Sequence, residues 1–217
     1  MRATERLLTR YPIQSCLDED QHPLADPPYN GASSPDLSLD TLAERHPGLT
    51  PEVAATYAQA AAVCLSRHHE PPVAVRVSRD ADEIADYAVT WDLPTQRVRA
   101  AWANADDATR DGAYCLVLAA AEGQLGLIAF SRASVRSGAD YLMGPNTAIA
   151  NPVDGLIDLE HAIHLEISGI DRCRGEFDLE RRVQQKVQQV RGGSRGRPSM
   201  AGVVAFNMRR IVFRSVD

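Results

Sequence analysis

Asp140, Glu166 and Lys186 are the residues whose types and surroundings can do chemistry together. Asp140 is the sole charge in the apolar run ADYLM, and Glu166 the sole acid in AIHLEISGI. A carboxylate in a half-buried strand is costly unless it is paired, protonated or bound to a cation. Two of them on neighbouring strands can share one Mg²⁺ or Mn²⁺, ions that prefer carboxylate, carbonyl and water ligands. Ile167, directly after Glu166, can add its backbone carbonyl. A cation so held activates water and neutralises charge on a scissile phosphate. A neighbouring ammonium positions the nucleophile and counters the developing charge. Lys186 is the only lysine in the chain; the other basic residues are arginines. The expectation is metal-assisted cleavage of a phosphodiester. Glu122, late in an apolar helix, either points toward the same cluster or lies exposed near the helix end.

Positioning these residues takes strands and a helix. Leu127–Val135 and Ala139–Met143 read as a hairpin, the second strand carrying Asp140. Ala162–Ser168 alternates strictly, with Ile163, Leu165 and Ile167 on one face and His164, Glu166 and Ser168 on the other. Glu176–Val190 is a helix carrying Arg182, Lys186 and Gln189, and Ala201–Phe206 is a further strand. Before them, Asp106–Gly126 is the most apolar helix, capped by Asp106 or Asp107, with Tyr114, Val117, Leu118 and Ala121 on its buried face. The order is helix, strand, strand, strand, helix, strand. A helix crossing between strands of one sheet implies an α/β sandwich with a mixed sheet.

Further upstream, Thr50–His68 is a helix with Thr50 as N-cap and Pro51 at its first position. His68 and His69 close it as C-terminal cations. Val73–Val77 and Ile84–Trp91 read as strands. Residues 1–48 form an extended arm, rich in Pro, Asp, Ser and Gly, and 49–217 form a single α/β domain.

Composition narrows the function classes. The formal charge is 23 basic minus 29 acidic residues, −6, so any nucleic-acid contact should be local rather than spread over the surface. Basic residues cluster in the last quarter, where Arg191, Arg195 and Arg197 lie in the Gly/Arg loop RGGSRGRP. That loop is the candidate phosphate contact, its glycines admitting backbone amides and its arginines supplying charge; a solvated turn is the plainer alternative. Cys16, Cys64, Cys115 and Cys173 are scattered without a CxxC pair, which fits free thiols in a reducing cytoplasm. No apolar run approaches the length of a membrane span. Glu160, His161 and His164 suggest zinc only if they lie on a helix, and the alternation of Ala162–Ser168 argues for a strand.

The element order and the spacing Asp140…Glu166-Ile167-Ser168 resemble the PD-(D/E)XK nuclease superfamily over roughly 106–206. The resemblance implies a three-layer α/β/α restriction-endonuclease-like core with a mixed central sheet. It matches Asp140 to the metal-binding aspartate, Glu166 to the acid of the E-x-K tripeptide and Glu122 to the helix acid of many members. Ser168 stands where the usual lysine would be. In some members that lysine moves to the following helix, where Lys186 sits, and Gln185 and Gln189 lie near a glutamine seen in RecB-like members. The implied function is an Mg²⁺-dependent nuclease, on DNA ahead of RNA, acting as a homodimer or as a subunit of a bacterial defence or repair system. Arg182, Gln189, Arg191, Arg195 and Arg197 would contact nucleic acid. Ser168 leaves open the alternative of a catalytically inactive nuclease-fold protein that binds nucleic acid or serves assembly.

Overall fold

The computed structural model describes residues 34–80, 83–134, 137–145, 162–194 and 196–216. In chain order the elements are α1 (Leu42–Arg45), α2 (Pro51–Leu65), β1 (Val73–Arg79), β2 (Glu83–Val89), α3 (Gln96–Ala101), α4 (Ala105–Leu125), β3 (Leu127–Arg132), β4 (Tyr141–Pro145), β5 (Ile163–Ile170), α5 (Glu176–Ser194), β6 (Ser199–Ala205) and β7 (Arg210–Val216). The strands form one mixed seven-stranded sheet in the order β2-β1-β7-β6-β5-β4-β3. β5 and β6 run parallel, as do β1 and β7; the remaining neighbours are antiparallel. The α/β class and the element order expected over 106–206 are therefore present. The expected zinc geometry is not available to His164, which lies on β5; Glu160 and His161 are outside the described residues.

Helices cover both faces of the sheet, and strand alternation decides which residues meet them. Leu165, Ile167, Met200 and Val204 join the buried cluster of α2 and α4. Ala201, Val203 and Ala205 pack with Leu179, Val183, Val187 and Val190 of α5. α2 begins as expected, with the Thr50 hydroxyl accepting from the Val53 amide and Pro51 at its first position. The cap of α4 differs from expectation. Asn104 accepts from the amides of Asp106 and Asp107, and these two acids instead occupy the positive first turn. An Asn two residues earlier supplies a carbonyl oxygen equally well.

Several boundaries also move; the strand expected at Ala139–Met143 is Tyr141–Pro145, which leaves Asp140 just before it. Of the segment read as an arm, 1–33 lie outside the described residues, and in the rest Leu37, Leu39 and Leu42 are buried in the core and Asp36 bridges to Ala88. These three leucines, spaced by two and then by three, keep neither the strand nor the helix period. β5 continues beyond Ser168 to Ile170. α5 continues beyond Val190 to Ser194, so Arg191 is helical rather than in a loop.

Gly169 explains the extension of β5. A Cβ there would stand 2.5 Å from the Thr109 carbonyl oxygen, so the glycine admits α4 onto the sheet. Gly169→Val should cost about 1–3 kcal/mol through overpacking. Urea unfolding measures this, and an unchanged midpoint would contradict the close approach.

Candidate active site

The β4–β5 ladder opposes Tyr141 to Leu165. One residue back, Asp140 stands opposite Glu166, just outside the start of β4, and its amide donates to the Leu165 carbonyl at 2.8 Å. Tyr141 and Leu165 face α4 and Glu166 faces α5; Asp140, at the edge before the strand begins, lies beside Glu166 while its carboxylate reaches back to Tyr114 of α4. Asp140 Oδ2 accepts the Ile167 amide and Oδ1 accepts the Tyr114 hydroxyl, each at 2.8 Å. Glu166 Oε1 accepts Lys186 Nζ at 2.6 Å and Gln189 Nε2 at 2.7 Å. Lys186 Nζ also donates to Gln189 Oε1 at 3.0 Å. Arg182, Lys186 and Gln189 repeat at helical spacing and so line one flank of α5.

Glu166 is 4% exposed. Burial, and then the charge of Asp140, raise its pKa to about 7, against the opposing pull of Lys186. An acid strained in this way is a carboxylate held ready for a cation or a proton.

Two glycines fix the approach to Asp140. Gly138 has φ +72°, and a Cβ on it would stand 2.8 Å from the Gln189 carbonyl oxygen. A Cβ on Gly193 would stand 2.3 Å from the Ser137 carbonyl oxygen. The chain before β4 is thus pressed directly onto the end of α5. The glycine of RGGSRGRP at position 193 admits this close backbone approach.

The other expected site residues separate. Glu122 is apart from the carboxylate pair: it pairs with Arg45 and lies 3.7 Å from His46. It follows Tyr114 by eight residues, about 12 Å along the helix axis. Arg182 lines a groove of about 750 Å³ together with Arg172, Arg174, Arg181 and Gln185. Arg191 and Arg197 line a different cavity, beside Ser199 where β6 begins. Arg195 lies outside the described residues. Ile167 directs its amide at Asp140, and in an extended strand its carbonyl points to the same side. Ser168 is half-buried, on the face of β5 that meets α5.

Tyr114 is the functional contact that sequence periodicity missed. It reads as core, and it is buried, but its hydroxyl reaches Asp140. Only the rule that a buried tyrosine hydroxyl seeks a partner pointed that way.

No protein family, characterised protein or solved structure matches this chain.

The donor set itself fits a hard divalent cation. Asp140 and Glu166 supply two carboxylates with lone pairs left over, and Ile167 a carbonyl on the same side. Among the described residues no group of three His, Cys, Asp or Glu side chains converges on one point, so water and substrate would complete the coordination. Also among them, no helix is long and apolar enough to cross a membrane, and Cys64, Cys115 and Cys173 are buried free thiols.

Glu122 has a structural role instead. His46 is fully buried, and its Nδ1 accepts the Ala129 amide at 3.0 Å. Burial, and then the charge of Arg45, lower the His46 pKa to about 4. The unfolded chain then binds the extra proton between about pH 6.5 and 4, so this contribution is present above pH 6.5 and lost as pH falls through 4. His46→Gln should flatten the acid side of the stability profile by about 1–3 kcal/mol. Unfolding midpoints at pH 7 and 4.5 measure it, and an unchanged slope would contradict it.

Proposed function

We propose that this chain hydrolyses phosphodiester bonds in nucleic acid, DNA ahead of RNA, with Mg²⁺ or Mn²⁺ held by Asp140, Glu166 and Ile167. The observation that carries the reading is that Asp140, just before β4, stands beside Glu166 in the middle of β5, with the only lysine on Glu166. The helix–three-strand–helix–strand order supports a restriction-endonuclease-like core. The cation would supply water activation and charge neutralisation at the scissile phosphate.

The chain's own residues do the rest. Tyr114 and the Ile167 amide hold the Asp140 carboxylate in one orientation. Lys186 uses two of its three N–H donors on Glu166 and Gln189, leaving one for the attacking water or a phosphate oxygen. The arginine groove between the β5–α5 connection and α5 supplies local positive charge in an acidic protein. Among the described residues Arg172, Arg174 and Arg182 form no ion pair, so their charge is open to phosphates. Arg182→Ala should weaken oligonucleotide binding several-fold at low salt and lower the salt slope by about one. A salt slope equal to that of the wild type would remove Arg182 from the interface.

Ser168 favours a second reading, in which the same fold binds nucleic acid without cutting it. Cleavage of labelled DNA with Mg²⁺ or Mn²⁺ by wild type and Asp140→Ala separates the two. Activity in the wild type alone supports hydrolysis. Equal activity in both proteins means contamination, and binding without cleavage leaves the second reading.

A further inference from the structure

On the α4 side of the carboxylate pair lies a cleft of about 520 Å³, lined by Glu52, Tyr57, Arg110, Asp111, Tyr114 and Arg132 among others. Its floor is an aromatic cluster. The Tyr57 and Tyr114 ring centres are 5.1 Å apart, those of Tyr114 and Tyr141 are 5.8 Å apart, and the hydroxyls of Tyr57 and Tyr141 are 2.9 Å apart. The Arg132 guanidinium lies against two of these rings, with its central carbon 4.7 Å from the Tyr114 centre and 4.8 Å from that of Tyr141. Such contacts hold a guanidinium in place. Among the described residues Arg132 forms no ion pair, although it is largely exposed. Its charge and outer face are therefore open to the cleft.

The cleft is joined to the active site through one side chain. Tyr114 carries Arg132 on its ring and touches Asp140 with its hydroxyl. Whatever sits on Arg132 is thus close to the reacting bond. The rim chemistry indicates what that is. Glu52 and Asp111 are balanced by Arg110 and Arg132, and Asp111 is paired with Arg110 at 2.8 Å. The cleft therefore has no net charge to draw a continuous sugar–phosphate backbone, whereas a nucleobase offers amino groups to carboxylates and a π-face to a guanidinium. The arginines of the groove on α5 offer the backbone its charges on the other side.

We propose that this cleft receives an unpaired nucleobase, stacked on Arg132, from the strand whose phosphate lies at Asp140 and Glu166. The substrate is then single-stranded nucleic acid, or a duplex end or flap with unpaired bases. This rests on the hydrolytic reading for its role in cleavage but not for binding.

The test uses the full chain, a fluorescent 20-nucleotide DNA strand and the duplex of the same sequence, in EDTA so that nothing is cut. The expected result is at least tenfold tighter binding of the single strand. Arg132→Met should lose about 5–30-fold on the single strand and little on the duplex. Arg132→Lys, which keeps charge but not the planar stacking surface, should not restore it. Thr56→Trp, which fills the cleft from the exposed face of α2, should give the same loss without touching Arg132, and thermal melts establish that each variant folds. Preference for duplex, or single-strand affinity indifferent to both Arg132→Met and Thr56→Trp, would overturn the proposal. Cleavage with Mn²⁺ is read in parallel. Single-strand binding through Arg132 with no cleavage in the wild type leaves the base site and removes hydrolysis. Cleavage lost in Asp140→Asn but indifferent to Arg132 leaves hydrolysis and removes the base site.

Discussion

Lys186→Ala should lower the rate of phosphodiester cleavage by about 10²–10³-fold, the usual cost of removing one charge-stabilising donor from a buried site. The lysine acts in two ways. It supplies the spare N–H donor beside the carboxylates, and it keeps Glu166 ionised against burial and the charge of Asp140. Its loss pushes the Glu166 pKa further up, so the residual activity should shift its pH profile to higher pH. Ser168 offers a second test. It follows Glu166 by two residues and shares its strand face, so Ser168→Lys added to the Lys186→Ala protein returns an ammonium to the same cluster from β5 instead of α5. Recovery to within about tenfold of wild type would show that the ammonium matters and its point of attachment does not. A Lys186→Ala protein with undiminished rate would strip Lys186 of its role.

Glu166→Gln should remove cleavage and yet stabilise the fold. At pH 8 Glu166 is largely ionised beside Asp140 in a buried site. A glutamine keeps an oxygen for Lys186 and Gln189 and turns an N–H donor toward Asp140. The sign follows from the raised pKa of about 7. The folded state holds this proton more tightly than the unfolded chain, so the stabilisation is full below about pH 4.5 and lost as pH rises through 7. The variant should therefore exceed the wild type by about 1–3 kcal/mol at pH 8 and match it near pH 4.5. His46 works in the opposite direction over the same range, so the wild-type profile partly cancels and the variant shows a steeper acid loss. Gain of stability with loss of function is the expected trade at a strained site. A variant less stable than wild type at pH 8 would mean that Glu166 is a structural ion-pair partner only.

The carboxylate pair was legible because it depended on local signals. Asp140 and Glu166 were single acids in apolar strands, and strict alternation in AIHLEISGI set the face of Glu166. Their meeting needed β4 and β5 to pair across the stretch 146–162 that separates them, and the residues offered that only as a condition. Glu122 was not legible. Helical periodicity placed it a turn beyond Leu118 but carried no information on Arg45, its partner 77 residues earlier. Arg132 was invisible for a similar reason: it ended a strand with nothing in its neighbourhood to mark the tyrosines of α2, α4 and β4. The glycines of RGGSRGRP were legible as unusual but not in their purpose, because close backbone contact between Gly193 and Ser137 is a tertiary fact. The burial of Leu37, Leu39 and Leu42 was hidden in a stretch without period, where composition alone suggested an arm.

The central claim is that Asp140 and Glu166 jointly hold one divalent cation. Calorimetric titration of Mn²⁺ into the protein at pH 8 tests it most directly, with wild type, Asp140→Asn and Glu166→Gln side by side. One site per chain is predicted in the wild type, weakened at least tenfold in each variant. Equal Mn²⁺ affinity in all three proteins, or none in the wild type, would contradict it.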